Sequence, residues 1–566
     1  MTCKEMILSN EYADIINFDA AITTENSVSE AYCVQELYED KSIIYVRRDL
    51  IPSVGEETYW YNYVPKLYGL MQDIEYNPLS LIASGILQLQ RPPLELTGRN
   101  VIIGVIDTGI RYEEDVFRRS DGSSRILSIW DQTNQDGIPP EGFYYGSEYD
   151  NEMINIALRS ENPRDIVPSY DENGHGTAMA SVAAGSIVNK GLYYNGAAPD
   201  ADIVVVKLKE AKQYLRDYYY IPEGVACYED ADILQAVQYV EQMAVPLQRP
   251  VVIVLGIGTN MGDHTGNDAL SLFLNDVAGR SNRVVVVCGG NEGNAAHHYE
   301  GMVNNNTINN WDDVEIRVGP GEQGFVMELW GTLPYLFNVS VRSPRGETTP
   351  EVVSQIGNSI RYEFIFEGTI VEIGYWLVEQ RSGEELITLR FTNPTEGIWT
   401  IRVTGIREPG IGTYHMWLPI TAFLRSETYF LRPNPYITLT APGLAENVIT
   451  MSTYDDRNDS FYQNSGRGFS RLGVVKPELA APGVDIPTAL GVRTGSSLAA
   501  AMTAGGVAQF LQWAVVEGNN PYVDTEDVKN YLIRGGTREE RISYPSREWG
   551  YGRLNVMGVF DLFADV

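Results

Sequence analysis

The sequence predicts an α/β protein with a parallel sheet covered by helices on both faces, an antiparallel β domain inserted into it, and a small α/β region in front. Four short runs rich in β-branched residues predict the sheet: residues 101–106 (VIIGVI), 203–208 (IVVVKL), 251–255 (VVIVL) and 283–288 (RVVVVC). Such runs suit strands that are buried on both faces. Residues 177–187 and 228–243 have helical composition and lie between these runs. Alternation of strands and helices predicts a parallel sheet.

A different pattern of polar and apolar residues begins near residue 298 and continues to residue 434. Polar and apolar residues alternate in short runs such as GFVMELW, LFNVSVRS and ITLRFTN, with Gly, Pro and Asn between them. This alternation predicts an antiparallel sandwich or jelly roll. Because the strand and helix patterns of the α/β body return after residue 434, the β-rich block is an insertion. We therefore predict a first domain at residues 1–72, an α/β body at residues 73–298 and 435–566, and an inserted jelly roll at residues 299–434.

Composition narrows the classes of function. The chain has 566 residues and a formal net charge of −33, with 42 Lys and Arg against 75 Asp and Glu. The negative charge is spread along the chain, so we expect neither nucleic acid nor an anionic membrane as a partner. The start, MTCKEMILSNEYADIINF, lacks the basic residues and apolar run of a signal peptide, and we predict no membrane span. The four cysteines share no close spacing and predict no disulfide framework: Cys3, Cys33, Cys227 and Cys288.

Asp107 and His175 are the first two candidate functional residues. Asp107 directly follows the run VIIGVI, which places a carboxylate at the C-terminal edge of a parallel strand, where open α/β sheets hold their sites. An Asp after an apolar strand is also a common structural feature. His175 lies between two glycines at the start of a helix of small residues, so one side of its imidazole is uncovered. A structural His with satisfied hydrogen bonds is the alternative.

Ser497 and Asn291 supply two further polar groups. Ser497 begins a run of Ala and Gly within residues 494–506 (TGSSLAAAMTAGG), which predicts a buried helix whose N-terminus points at the hydroxyl. That setting suits a nucleophile, and a helix-capping Ser is the alternative. Asn291 follows the run RVVVVC in the segment GGNEG. Its amide can donate to a developing oxyanion or stabilise a turn.

Asp, His and Ser in this chain order, with an Asn between His and Ser, resemble the subtilisin-like serine proteases. The matching motifs are D-T-G, H-G-T, G-G-N-E-G and G-S-S-L-A-A-A, within residues 75–300 and 435–560. Three residues depart from the family pattern, since Ser496, Leu498 and Ala501 replace its Thr, Met and Pro. We expect these departures to change packing and rate without loss of the triad.

The resemblance implies a role for each candidate residue. Ser497, rather than its neighbour Ser496, aligns with the family nucleophile and would attack the scissile carbonyl. His175 would take and return the proton, and Asp107 would orient the imidazole. Asn291 and the Ser497 backbone N–H would bind the oxyanion.

The resemblance also implies where a substrate strand binds. The segment VLGIGTN replaces the Ser-Leu-Gly type of sequence that the family uses there. Gly256, Ile257 and Gly258 lie in this segment, and its backbone can still pair with a peptide by β-addition. We therefore assign these three residues to substrate binding.

In this family the N-terminal region is a propeptide, a small α/β fold that assists folding and leaves its tail in the active cleft. About 35 residues separate the mature start from the catalytic Asp in the family, and counting back from Asp107 reaches Gln72 and Asp73. We therefore predict self-cleavage between Tyr68 and Asp73, with the bond after Gln72 as the first choice.

The β insertion between the Asn and Ser motifs makes the chain similar to one subgroup, the clostridial germination proteases. These carry a jelly roll, have no export signal and keep the cleaved propeptide bound. The resemblance implies an endopeptidase that activates a proenzyme, such as a spore-cortex lytic enzyme, by limited proteolysis. It also implies cytoplasmic synthesis, incorporation into the spore, and a protein substrate and the retained propeptide as partners.

Two other functions stay open at this stage. One is a pseudoprotease or signalling scaffold that binds a partner through the jelly roll and the retained propeptide. The other is carbohydrate binding by the jelly roll. No cofactor is required by the proposed chemistry, and we assign no metal ligands. A structural Ca²⁺ at an acidic loop such as residues 113–121 stays open beside a solvated loop.

Overall fold

The computed structural model describes residues 2–17, 29, 31–37, 41–52, 63–70, 80–186, 195–406 and 409–564. The N-terminal module consists of α1 (Cys3–Leu8), β1 (Tyr12–Asn17), β2 (Tyr32–Glu36), β3 (Ser42–Arg47) and β4 (Leu67–Leu70). Strands β1, β3 and β2 form an antiparallel sheet in that order. The strand β4 is not part of this sheet and pairs with strands of the protein body.

The body of the protein is a mostly parallel sheet. The elements up to its middle are α2 (Ser80–Ala83), α3 (Ile86–Leu89), β5 (Ile102–Asp107), β6 (Ile126–Asp131), β7 (Ser147–Asp150), α4 (Asn151–Ala157), α5 (His175–Ala184), β8 (Asp202–Lys207), α6 (Gln213–Tyr218), β9 (Tyr228–Glu229), α7 (Asp230–Ala244), β10 (Val251–Leu255), β11 (Ile257–Gly258), α8 (Ala269–Ala278) and β12 (Arg283–Cys288). After the insertion come β23 (Ile449–Asp455), β24 (Ser460–Phe461), β25 (Leu479–Pro482), β26 (Ile486–Thr488), β27 (Gly491–Arg493), α9 (Ser496–Leu511), α10 (Thr525–Gly535) and α11 (Val556–Ala564). Strand order is β24-β23-β12-β10-β5-β8-β6-β7, with β25 also paired to β23.

Alternating residues of the central strands face two separate cores. In β10, Val252 and Val254 pack with the alanines of α5 and α9, while Ile253 and Leu255 pack with α7 and α8. A strand that is apolar on both faces requires helices on both sides. The predicted fold class is therefore confirmed, and it places the C-terminal ends of β5, β10 and β12 side by side.

The β insertion follows β12 and returns before β23. Its strands are β13 (His298–Asn304), β14 (Trp311–Val318), β15 (Gly324–Gly331), β16 (Leu336–Arg342), β17 (Ser359–Phe364), β18 (Thr369–Trp376), β19 (Glu385–Thr392), β20 (Gly397–Ile406), β21 (Ile411–Trp417) and β22 (Tyr429–Phe430). They form two antiparallel sheets, in the orders β13-β21-β15-β19-β18-β17 and β16-β20-β14-β22. Apolar side chains from both sheets share one core, as the alternating sequence predicts.

The structure corrects several sequence predictions. Cys3 and Cys33 form a disulfide between α1 and β2, whereas the cysteine spacing predicted none. The two are 30 residues apart in the chain, but the packing of α1 on the sheet brings their Cα atoms to 5.5 Å. Cys227 and Cys288 are buried free thiols.

Two predicted helices also have different limits. The helix predicted at residues 177–187 begins at His175 and ends at Ala184, and Ile187 lies outside the described residues. In the segment predicted as a helix from residue 228, Tyr228 and Glu229 form a strand, and the helix begins at Asp230.

Candidate active site

The structure brings Asp107, His175 and Ser497 together at the carboxyl edge of the sheet. His175 Nδ1 lies 2.7 Å from Asp107 Oδ1, and His175 Nε2 lies 3.0 Å from Ser497 Oγ. All three residues are buried. This is the hydrogen-bonding order of a nucleophile, a base and a group that orients the base.

Each of these residues occupies the end of an element. Asp107 is the last residue of β5, and His175 is the first residue of α5. A Cβ on Gly176 would lie 2.3 Å from the Gly109 carbonyl oxygen, so the glycine lets the start of α5 approach the loop after β5. The local motifs therefore supply the close approach that the hydrogen bond between Asp107 and His175 requires.

The helix α9 brings Ser497 to the same place from the other side. Every residue of α9 is buried, and a Cβ on Gly505 would lie 2.3 Å from Ala197 Cβ and 2.5 Å from the Ala183 carbonyl oxygen. The small residues thus allow α9 to pack tightly against α5 and the chain that follows it. The stretch Ser496–Val516 has the length and apolar composition of a membrane span, but it is mostly buried inside the protein.

Asp171 is a buried residue of the site that the sequence analysis did not identify. Its Oδ1 accepts from Thr108 Oγ1 and from Gly174 N–H, both at 2.7 Å. Its Oδ2 accepts from the N–H and Oγ1 of Thr177 at 2.9 and 2.6 Å. One carboxylate therefore joins the loop after β5 to the start of α5. The sequence signal for it was an Asp three residues before a Gly-His pair, which is a turn-forming spacing.

Asn291 follows β12 and contacts the start of α9. Its Oδ1 accepts from the Ser496 N–H at 3.1 Å. Because the carbonyl end of the amide is used in this way, the NH₂ end is the one that can donate to a substrate oxygen. The hydrogen bond thus places the Asn291 side chain beside the residue that precedes Ser497.

A strand of the N-terminal module lies along the predicted substrate-binding segment. Leu70 pairs with Ile257 and Gly69 with Gly258, while Tyr68 pairs with Tyr228 on the other side. The strand β4 is therefore the middle strand of an antiparallel sheet with β11 and β9. This is β-addition, with a segment of the same chain in the place of a substrate.

Gly256 links this segment to Ser497. A Cβ on Gly256 would lie 2.9 Å from Ser497 Cβ and 2.2 Å from Met179 Sδ. Gly256 is the residue directly before β11. Gly256 thus lies against Ser497 at one end of the segment that pairs with β4. Gln72 and Asp73, the predicted cleavage residues, lie outside the described residues.

Buried charges hold the N-terminal module against the body. Lys212 Nζ forms an ion pair with Asp14 and donates to the Tyr12 carbonyl at 3.1 Å. The Lys212 N–H donates to Glu229 Oε1 at 2.5 Å. Burial, together with the nearby Asp14 carboxylate, raises the pKa of Glu229. Removal of the module would therefore take away the buried Asp14 carboxylate with which Lys212 pairs.

Among the described residues, no group of three or more His, Cys, Asp or Glu side chains is arranged to hold a metal ion. In the acidic loop named above, Glu113 accepts a bidentate pair of hydrogen bonds from Arg164, at 3.0 and 3.1 Å. Asp115 pairs with Arg118. These carboxylates are used within the protein, and a structural Ca²⁺ stays without assigned ligands.

The geometry agrees with comparisons to known proteins. The model of the Subtilase family matches residues 98–315 and 433–552. The subtilisin-like protease SBT3.6 of Arabidopsis thaliana is 34% identical over 158 residues, which are 25% of this chain and 19% of that protein. The serine protease AprX of Bacillus subtilis is 30% identical over 145 residues, which are 25% of this chain and 24% of that protein. The chain thus spans about a fifth to a quarter of these relatives.

A solved structure extends the similarity to most of the chain. The structure of the CspB protease of Clostridium perfringens matches with a TM-score of 0.75 and 27% sequence identity. The match covers 86% of this chain and 99% of that one, so it includes the β insertion as well as the parallel sheet.

Proposed function

Since this chain belongs to the Subtilase family of subtilisin-like serine proteases, whose model matches more than half of it, we propose that it is an active endopeptidase that cuts its own N-terminal segment. The observation that carries the proposal is the position of β4. This strand lies along the segment beside Ser497, while Asp107, His175 and Ser497 are already in hydrogen-bonding order.

The proposed reaction is an acyl transfer. Ser497 Oγ attacks the carbonyl carbon while its proton passes to His175 Nε2, and Asp107 stabilises the imidazolium through Nδ1. Asn291 Nδ2 and the Ser497 N–H bind the oxyanion. His175 then protonates the leaving nitrogen as the C–N bond breaks. Water, activated by the same imidazole, hydrolyses the acyl-enzyme and restores Ser497.

The register of β4 supports a particular bond. Leu70 pairs with Ile257, and Gly256, the residue before Ile257, lies against Ser497. Counting one residue on from Leu70 in the sequence, we propose that Met71 is the residue that is acylated. This favours cleavage of the Met71–Gln72 bond. It is one residue before the bond that the family spacing favoured, Gln72–Asp73, and within the predicted interval. These three residues lie outside the described part of the chain, and the assignment rests on the count alone.

We also propose that the N-terminal module stays bound after the cut. The buried ion pair between Lys212 and Asp14 supports this, because separation of the module would leave each charge without the other. Residues of α1 and of β1 to β3 share one apolar core with α7 and α8. The module is then a partner of the mature enzyme as well as its first substrate.

The physiological role we propose is activation of a proenzyme by limited proteolysis, for example a spore-cortex lytic enzyme during germination, by a protease incorporated into the spore. The similarity to the C. perfringens CspB protease over the whole length of that chain supports it. The alternative is a scaffold whose triad is unused. It is favoured only by the occupied cleft, since a bound strand also blocks other substrates.

The test is the intact mass and N-terminal sequence of the wild-type protein beside Ser497→Ala. Ser460→Ala, at an exposed serine of β24, is the matched control. We expect wild type and the control to be cut at one bond near Gln72, and Ser497→Ala to keep its full length. An uncut wild type, or the same cut in Ser497→Ala, would overturn the proposal and favour the scaffold.

A further inference from the structure

Gly69 lies against two residues from the last part of the β insertion. A Cβ on Gly69 would lie 2.5 Å from Ile420 Cδ1 and 3.2 Å from Phe423 Cε1. The backbone of Gly69 is in a strand and has no left-handed φ, so its conformation does not require glycine. The crowding comes from side chains only, and Ile420 Cδ1 is the end of a flexible side chain that can turn aside for a single Cβ. A branched side chain would also meet the Phe423 ring, so the space favours glycine over large residues.

The covering residues belong to a short piece of chain, residues 418–423, which we name the cover segment. It follows β21 and includes a 3₁₀ turn, Thr421–Phe423. Ile420 and Phe423 are buried, and their side chains belong to the same apolar core as Leu67 of β4.

Hydrogen bonds fix the cover segment to the active site. The Leu418 carbonyl accepts from Asn260 Nδ2 at 3.1 Å, and Asn260 follows β11 closely in the chain. Glu292, the neighbour of Asn291, accepts from the Thr421 N–H at 3.0 Å. His297 Nδ1 contacts the other oxygen of Glu292 at 2.7 Å. These hydrogen bonds hold the backbone at Leu418 and Thr421, on either side of Ile420.

The residue before Gly69 adds a second restriction. Tyr68 is fully buried, and its hydroxyl donates to Asp268 Oδ1 at 3.5 Å. The Asp268 carboxylate also caps α8 by accepting from Ser271 N–H at 3.0 Å, so it is held in place. An aromatic residue with a hydroxyl fits this position.

We propose that Ile420 and Phe423 are specificity-determining residues that favour glycine over larger, branched residues at the position of Gly69. The substrate class is a polypeptide with a Tyr-Gly pair in which glycine stands two residues before the one that is acylated. This inference rests on the proposed function, since it describes what the same cleft accepts. It gives the β insertion a part in substrate selection, because the cover segment belongs to the insertion and lies over the strand β4.

The experiment follows self-cleavage over time after cell-free synthesis, by intact mass, in the full chain. Gly69→Val adds two methyl groups beyond the Cβ, and we expect it to slow the cut by about 10- to 100-fold through overpacking. The double variant Gly69→Val with Ile420→Ala removes the methyl group that the new side chain meets, and we expect most of the rate to return. Leu424→Ala in the Gly69→Val background is the matched control, because Leu424 packs on the core of the β insertion.

The outcomes separate this inference from the proposed function. Cleavage of Gly69→Val at the wild-type rate overturns the restriction while the protease proposal stands. A slow Gly69→Val variant that Ile420→Ala does not rescue, or that Leu424→Ala rescues equally, overturns the assignment to Ile420. A wild type that is never cut contradicts the proposed function itself. Rescue by Ile420→Ala also shows that the Gly69→Val chain can fold.

Discussion

Thr108 and Asp171 are joined by a buried hydrogen bond of 2.7 Å from Thr108 Oγ1 to Asp171 Oδ1. Thr108 directly follows Asp107, and Asp171 lies four residues before His175. The same Thr108 Oγ1 accepts from the Gly176 N–H at 2.9 Å. Asp107 and His175 are therefore held together through their neighbours as well as through the hydrogen bond between their own side chains.

We expect Asp171→Asn to lower both stability and the rate of self-cleavage. Each oxygen of Asp171 accepts two hydrogen bonds, and an amide NH₂ on one side would face two donors. The free energy of unfolding should fall by about 1–3 kcal/mol. The rate should fall by about 100-fold if His175 shifts by about 1 Å. Urea unfolding in the Ser497→Ala background measures the first effect, and the time course of the cut measures the second.

Asp136→Asn, at an exposed residue, is the control for Asp171→Asn and should change neither quantity. An Asp171→Asn protein with wild-type stability and rate would show that the carboxylate does not position His175.

Asn291→Ala should slow self-cleavage without preventing folding. Loss of one oxyanion donor costs about 100- to 1000-fold in rate. The remaining Ser497 N–H would still bind the oxyanion, so a slow cut at the same bond is expected. The measurement is the half-time of the cut after synthesis. A half-time equal to that of wild type would remove Asn291 from the oxyanion site.

Asp230→Asn should make stability less dependent on pH. Burial raises the pKa of Asp230 to about 8, although nearby Lys66 lowers it. Unfolded, the group titrates near pH 4, so its contribution to stability is fully present below about pH 4 and is lost as pH rises through about 8. Between pH 5 and 8, wild type should lose up to about 1.4 kcal/mol per pH unit more than Asp230→Asn.

The check is urea unfolding at pH 5, 6, 7 and 8, again in the Ser497→Ala background. Asp136→Asn, whose carboxylate is exposed, should follow the wild-type pH dependence. Parallel pH curves for wild type and Asp230→Asn would contradict a proton held by Asp230 in the folded protein.

Thiol counting tests the disulfide that the cysteine spacing did not predict. Alkylation of the denatured, unreduced protein should modify Cys227 and Cys288 only, and alkylation after reduction should also modify Cys3 and Cys33. Cys33→Ser should destabilise the chain by about 2–4 kcal/mol, because the bond closes a loop of about 30 residues. Four reactive thiols without reduction would show that the pair is open in the isolated protein.

Much of the fold and the triad could be predicted from short segments. The strands that carry Asp107 and Asn291 are continuous apolar runs, and the helices that carry His175 and Ser497 are marked by Gly and Ala. These signals are local, because burial on both faces and close helix packing each restrict residue type within a few positions. The order of the motifs then indicated the family.

Other features depend on residues that are far apart in the chain, and no local pattern pairs those residues. In the sequence Asp171 is an ordinary Asp of a loop, and only the fold brings Thr108 and Thr177 to donate hydrogen bonds to it. Cys3 and Cys33 meet only because α1 packs on its sheet. Ile420 looks like one more apolar residue after a strand, and its contact with Gly69 requires the insertion to return over the cleft.

Local patterns in the sequence predicted the class of fold, the candidate site of Asp107, His175 and Ser497, and a segment for substrate binding. The tertiary structure was needed to show that the chain's own strand β4 lies along this segment, which residues pair there, and that Ile420 and Phe423 lie against Gly69. Residue types along a strand or helix report its local environment. The pairing of His175 with Ser497, 322 residues apart, and of Gly69 with Gly258 is selected by packing of the whole molecule, which no short segment encodes.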